Sequence, residues 1–192
     1  MQPLILASSS PRRAQLLKQI GLSFEIIPSN LPEDVAGAGI SPQEIVQELA
    51  MQKAKHIAEK IPNGLIIGAD TIVVLEGKIL GKPQGTEHAL EMLTLLSGKE
   101  HLVYTGLALV KVPENKFVID YSETKVKFRP FGRDEALSYI MTGEPEDKAG
   151  SYAIQGKGAV LVESITGCYF NVVGLPITKL VSMLGNFGVS IW

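Results

Sequence analysis

Hydrophobic and polar positions along this 192-residue chain follow two rhythms. Runs rich in apolar and β-branched residues recur at Leu4–Ala7, Phe24–Ile27, Leu65–Leu75, Leu102–Val112, Lys116–Phe128, Ala159–Ile165 and Tyr169–Val173, and they predict strands. Helical spacing fills much of the sequence between them. Residues 11–20 place Leu16, Leu17 and Ile20 on one side, and Gly21 stops that helix. Ser41-Pro42-Gln43-Glu44 reads as a capping box with proline at the first helical position, opening a helix that runs to about Lys60. Thr86 caps a helix carrying Leu90, Leu93 and Leu96, which ends at Gly98. A short helix over 133–142 ends at Gly143, and Gly174-Leu175-Pro176 turns into a last helix with Ile177, Leu180, Val181 and Leu184. Glu76-Gly77 turns a strand back through Ile79-Leu80, and Pro113-Glu114-Asn115 is a second turn. There is no internal repeat. The alternation predicts an α/β fold with a mixed sheet.

Three positions break this pattern, and each carries chemistry. The first is Ser8-Ser9-Ser10-Pro11-Arg12-Arg13, directly after the first strand. Ser10 suits the N-cap and Pro11 the first helical position. The opening N–H groups of a helix have no intrahelical partner, and the helix dipole puts partial positive charge there. Hydroxyls and guanidinium groups at that end make an anion site suited to a triphosphate. Ordinary capping beside surface arginines accounts for the same residues. The segment lacks the glycines of a phosphate-binding P-loop or a dinucleotide fingerprint. The second position is Lys53. Ile45, Leu49, Lys53 and Ile57 are spaced four apart, so this lysine lies on the apolar stripe, while Lys55 and Lys60 point elsewhere. It either snorkels outward or meets an anion. The third is Asp70, which interrupts LIIGADTIVVL, a run apolar enough for a strand buried on both faces. A carboxylate there needs a metal, a cation or hydrogen-bond donors; capping a neighbouring helix would be its structural use.

Loops add Glu33 and Asp34 within 28–40, Lys82 between Gly81 and Pro83, and a polar, glycine-rich stretch over 144–158. Loops of that kind often line sites.

Composition narrows the classes. Hydrophobic residues are 45% of the chain, enough for a full core, and the net charge is −2, which argues against a general nucleic-acid binder. Cys168 is the single cysteine, so no internal disulfide forms and a reducing cytoplasm fits; a core or strand position accounts for it. No run approaches the roughly 18 apolar residues of a membrane span. Residues 1–10 hold no basic region of the kind that opens a secretory leader. His56, His88 and His101 are scattered, without the spacing of a zinc pair, and helix-surface or loop positions account for them. No G-x-S-x-G elbow is present. What remains is oxygen and cation chemistry: Glu33 and Asp70 with Arg12, Arg13, Lys53, Lys82 and the serine turn. That set suits metal-assisted cleavage of a phosphoanhydride, with magnesium or manganese on carboxylate and phosphate oxygens.

Taken in order, LILASSSPRR (4–13), Glu33, QKAK (52–55), GADT (68–71), GKP (81–83), DKAGSYAIQG (147–156) and VGLPI (173–177) resemble the Maf family of nucleoside triphosphate pyrophosphatases over essentially the whole chain. The resemblance implies one domain over 1–192 with a fold similar to the inosine-triphosphate pyrophosphatases: a long twisted mixed sheet with flanking helices, and two lobes around a cleft. It implies cleavage of a nucleoside triphosphate between the α and β phosphates, with a divalent metal. Asp70 matches the general base and a metal contact, and Glu33 the acidic residue that assists the metal. Ser8, Arg13, Lys53 and Lys82 match the phosphate-binding set, and Ser10, the second motif serine, is placed with them. Arg12, Thr71 and Gln155 match the branch acting on dTTP and UTP. An amide such as Gln155 both donates and accepts, as the O4 and N3–H edge of a pyrimidine requires. The expected role is removal of dTTP, UTP and modified pyrimidine triphosphates, by a cytoplasmic homodimer with no nucleic-acid or membrane partner. The family's association with septum formation implies the alternative, a nucleotide-binding regulator of cell division.

Overall fold

The computed structural model describes residues 2–31 and 39–192, so Glu33 and Asp34 lie outside the described residues. Its organising strand is the long apolar run. β3 (Gly64–Leu75) is buried at every residue except Thr71. β1 (Leu4–Leu6) runs parallel to it with Ile5 opposite Ile66, and β2 (Glu25–Ile26) runs parallel to β1 on the other side. β4 (Lys78–Leu80) folds back antiparallel on β3 through the Glu76-Gly77 turn, where both residues take positive φ. β5 (Glu100–Val112) and β6 (Lys116–Phe128) are joined by the turn at 113–115, and β7 (Val162–Gly167) pairs antiparallel with β6. Among the described residues the sheet has seven strands in the order β2-β1-β3-β5-β6-β7, with β4 beside β3. It is the mixed sheet that the alternating pattern predicts.

Helices bury their apolar faces on it. α1 (Pro11–Gln19) and α2 (Pro42–Ala58) start at the expected residues. The capping box is complete: the Glu44 N–H donates to the Ser41 hydroxyl, and the Ser41 N–H donates to the Glu44 carboxylate at 2.9 Å. That carboxyl is held below its ordinary value by the Ser41 hydrogen bonds. α3 (Thr86–Leu96) is preceded by Gly85 as its N-cap, so Thr86 is the first helical residue and not the cap. α4 (Arg133–Ile140) and α6 (Ile177–Gly185) follow the spacing of their apolar residues.

The chain divides into two compact units, one of residues 1–70, 105–122 and 174–192, the other of 71–104 and 123–173. Each has its own core. In the first, Ile5, Ala7, Ile66, Ala108 and Val110 meet Ala50, Met51, Ala54 and Ile57 of α2. In the second, Val73, Leu90, Leu93, Leu96, Val103, Phe128 and Leu161 pack together. Burying a side chain of this kind contributes about 1.5–3 kcal/mol.

Two of the strand assignments change. Tyr169–Val173 is a short helix, α5, in place of a strand. β-branched and aromatic composition favours a strand, but Asn171 is fully buried and donates to the Val103 carbonyl at 3.0 Å and the Thr124 hydroxyl at 2.9 Å. Tertiary contacts of this kind override local propensity. The Ala159–Ile165 strand starts later: residues 156–161 form a 3₁₀ turn and pairing begins at Val162. Cys168 is a half-buried turn residue between β7 and α5, its N–H donating to the Thr124 hydroxyl.

His101 also differs from its surface reading. It lies in β5, 2% exposed, edge-on to Phe128 and Tyr152, with Nε2 2.7 Å from the Tyr152 hydroxyl. Burial pushes its pKa down to about 4. The folded state therefore keeps this imidazole neutral while the unfolded chain takes up a proton below about pH 6.5. Stability is fully present above that value and is lost as pH falls towards 4. Between pH 7 and pH 5 the loss from this group is about 2 kcal/mol. Urea unfolding of the wild type and His101→Asn at both pH values is expected to show a steeper loss in the wild type; parallel losses would remove His101 as the cause.

Candidate active site

The first unit brings the sequence-predicted residues together in two places. β1 leads into Ser8, which is buried, and its Oγ gathers two donors: the Ser10 N–H at 3.2 Å and Nη1 of Arg13 at 3.0 Å. Nε of Arg13 donates to the Gly174 carbonyl at 2.8 Å. Arg13 is thus a buried part of the framework, tying the first turn of α1 to the turn before α6. Ser10 occupies the N-cap with extended backbone, as expected, but its side chain makes no cap hydrogen bond. Arg12 is half-buried on the same helical turn. Hydroxyls, a guanidinium and the positive end of a helix converge here, a combination that favours an anion.

The second place pairs Lys53 with Asp70. Nζ of Lys53 lies 2.5 Å from Oδ1 of Asp70, with the side chains 8% and 6% exposed. The lysine does not snorkel. The reason is the approach of α2 to the sheet. A Cβ on Gly68 would stand 2.1 Å from the Ala50 carbonyl oxygen and 3.0 Å from the Ala54 side chain; one on Gly106 would stand 2.0 Å from the Val46 carbonyl oxygen. The nearest obstacle to each is backbone, so any larger residue would force helix and strand apart. Gly68 and Asp70 share a face of β3 by the two-residue period, so the glycine that admits the helix also sets the aspartate opposite Lys53. Neither glycine figures in the predicted site, although an isolated glycine in a strand signals a close backbone approach.

The second unit holds Thr71, Lys82 and Gln155. Thr71 is half-buried, the residue after Asp70 in β3. Lys82 is exposed after β4. The Gly150 N–H donates to the Gly81 carbonyl at 3.0 Å, so the loop at 147–156 is fastened to the residue before Lys82. Gly150 takes φ +68°, and a Cβ there would press on Val73 at 3.1 Å. Tyr152 is buried beside His101, and Gln155 is half-buried before Gly156, another positive-φ residue.

A family model described as Maf-like protein matches residues 3–187. The chain belongs to the Maf family. Among curated relatives it is 49% identical over 191 residues to a dTTP/UTP pyrophosphatase of Desulforamulus reducens, covering all of both chains. It is 51% identical over 183 residues to a dTTP/UTP pyrophosphatase of Carboxydothermus hydrogenoformans, covering 95% of this chain and 97% of that one. A solved structure, a nucleoside-triphosphatase / dITP/XTP pyrophosphatase of Mycobacterium abscessus, aligns with 66% of this chain and 72% of its own at 17% identity and a TM-score of 0.41.

In this Maf chain, Asp70 is the buried carboxylate at the site, and it already faces an ammonium. Among the described residues no three His, Cys, Asp or Glu side chains cluster. The Asp70 carboxylate is an oxygen donor of the kind a hard cation takes. It fits a hard cation shared with a ligand, because magnesium takes one or two carboxylates and completes its shell with phosphate oxygens and water.

Removing one partner of a buried ion pair leaves an uncompensated charge and costs about 3–5 kcal/mol. Lys53→Ala is expected to lower unfolding stability by about 3 kcal/mol, while Lys55→Ala, on the exposed side of the same helix, changes it by less than about 0.5 kcal/mol. Chemical denaturation of both variants checks this, and equal losses would overturn the burial argument.

Proposed function

We propose that the protein hydrolyses dTTP and UTP to the monophosphate and pyrophosphate, and does the same to modified pyrimidine triphosphates, clearing them from the nucleotide pool. The observation carrying this reading is the Lys53–Asp70 pair buried between α2 and β3 in a chain that matches curated dTTP/UTP pyrophosphatases over its whole length. Water attacks the α phosphorus, the bond to the α–β bridging oxygen breaks, and pyrophosphate leaves. Asp70 accepts the water's proton as general base, and Lys53 holds its carboxylate in place. Ser8, Ser10, Arg13, Lys53 and Lys82 are assigned to the phosphates, whose charge the cations offset. Arg12, Thr71 and Gln155 are assigned to substrate selection.

Asp70, with Glu33, would hold a divalent cation, magnesium or manganese. When bound it polarises phosphate oxygens and offsets their charge. We further infer a cytoplasmic homodimer. A single cysteine supports the reducing compartment, no helix among the described residues is long and apolar enough to cross a membrane, and the dimer rests on the family resemblance.

Wild-type protein incubated with UTP and manganese is expected to release pyrophosphate, and a chelator to stop it. Retained UTP binding without any pyrophosphate would overturn the enzyme reading. Asp70→Asn is expected to lose about 10²–10⁴-fold in kcat, the usual size of a general-base contribution, with circular dichroism unchanged. Near-wild-type turnover would remove Asp70 from the role. Gln155→Glu substitutes an acceptor for a donor and is expected to raise KM for UTP and dTTP by about tenfold or more, the cost of one unmade hydrogen bond. An unchanged substrate panel would show that Gln155 does not read the base.

A further inference from the structure

The loop that carries Gln155 closes on a carboxylate. Glu144 follows α4, and its Oε1 accepts the Tyr139 hydroxyl at 2.8 Å and the Gly158 N–H at 2.9 Å, while Oε2 accepts the Lys157 N–H at 2.9 Å. The Tyr139 hydroxyl oxygen in turn accepts the Ala153 N–H at 3.1 Å. Backbone amides on both sides of Gln155 therefore end on one carboxylate and one phenol. Space around them is tight. Gly156 takes φ +70°, and a Cβ there would stand 2.5 Å from Oε2; a Cβ on Gly158 would stand 2.4 Å from the Ala153 carbonyl oxygen. Burial raises the Glu144 carboxyl, but the Gly158 amide, the Tyr139 hydroxyl and the Lys157 amide outweigh it and hold the group below its ordinary value. The carboxylate is thus ionised at neutral pH, when it accepts most strongly.

The three side-chain torsions of Gln155 all start from the backbone at 155, so the reach and direction of its amide depend on that backbone. Glu144 and Tyr139 fix this backbone from both sides. We propose that Glu144, acting with Tyr139, is a positioning residue that sets nucleotide selectivity by holding Gln155 in place for the pyrimidine edge. The proposal rests on the reading of Gln155 as the base-contacting residue.

The test measures kcat and KM for UTP and for GTP in the wild type, Glu144→Ala, Glu144→Gln, Tyr139→Phe and Gln155→Ala, and in the double variant of Glu144→Ala with Gln155→Ala. Glu144→Ala is expected to lower the UTP-to-GTP ratio of kcat/KM about tenfold, mainly through the KM for UTP, in line with the loss of charged-group hydrogen bonds. Glu144→Gln keeps one acceptor oxygen and is expected to fall between. Tyr139→Phe is expected to move the ratio the same way, and decides the matter if Glu144→Ala does not fold. In the Gln155→Ala background, Glu144→Ala is expected to leave the ratio unchanged, because the two act as one unit. A Glu144→Ala ratio equal to wild type, while Gln155→Ala shifts it, would overturn the positioning role alone. So would an equal fall for both nucleotides with KM unchanged, which is what fewer folded molecules would give. A Gln155→Ala ratio equal to wild type would overturn the reading of Gln155, and this proposal with it.

Discussion

Lys53 reaches Asp70 because two glycines let a helix rest its own backbone on the sheet. Gly68 in β3 and Gly106 in β5 face the carbonyls of Ala50 and Val46 at distances no Cβ would tolerate. That contact brings a lysine on the apolar stripe of α2 within 2.5 Å of the strand's carboxylate and keeps both nearly dry. Either charge alone would be costly in such a place. Paired, they put a fixed carboxylate in an otherwise apolar strand. The small residues Ala50 and Ala54 belong to the same arrangement, as does the glycine two residues before Asp70.

The anion-favouring end of α1 is built with comparable rigidity. Arg13 is not a loose surface cation. It spends one donor on Ser8 and another on the Gly174 carbonyl, so the serine turn, the first turn of α1 and the approach to α6 are held by one guanidinium. Its planar fork is suited to holding several acceptors at once. The VGLPI segment thereby acquires a physical purpose, since one of its carbonyls orients an arginine far away in sequence.

In the second unit the irregular stretch after α4 is irregular only in its dihedrals. Gly150 is fastened to Gly81, Tyr152 to His101, and the turn after Gln155 to Glu144. Each tie uses a group that local pattern does not distinguish from ordinary loop or core polarity. Positive φ at Gly150 and Gly156 lets the chain turn sharply enough for these ties to close. The result is a loop in which the amides of Gly150, Ala153, Lys157 and Gly158 are committed to the protein itself.

Most of the strands and helices, the complete capping box at Ser41, the inward register of Lys53 and the exceptional place of Asp70 were legible in the sequence, because they follow from periods of two and 3.6 and from local capping chemistry. The motifs likewise carried the family. Three of the changed readings mark the limit of such reasoning. Tyr169–Val173 looks like a strand but is a helix, held by a buried asparagine whose partners lie in other strands. His101 looks like an exposed residue but is sealed among aromatic rings. Thr86 reads as a helix cap but is the first helical residue, after Gly85. The partner of Lys53, the clearance at Gly68 and Gly106, the anchor of Arg13 and the clasp at Glu144 were decided by tertiary structure alone. Each depends on atoms brought together from distant parts of the chain, and a periodicity carries no information about what stands across the gap.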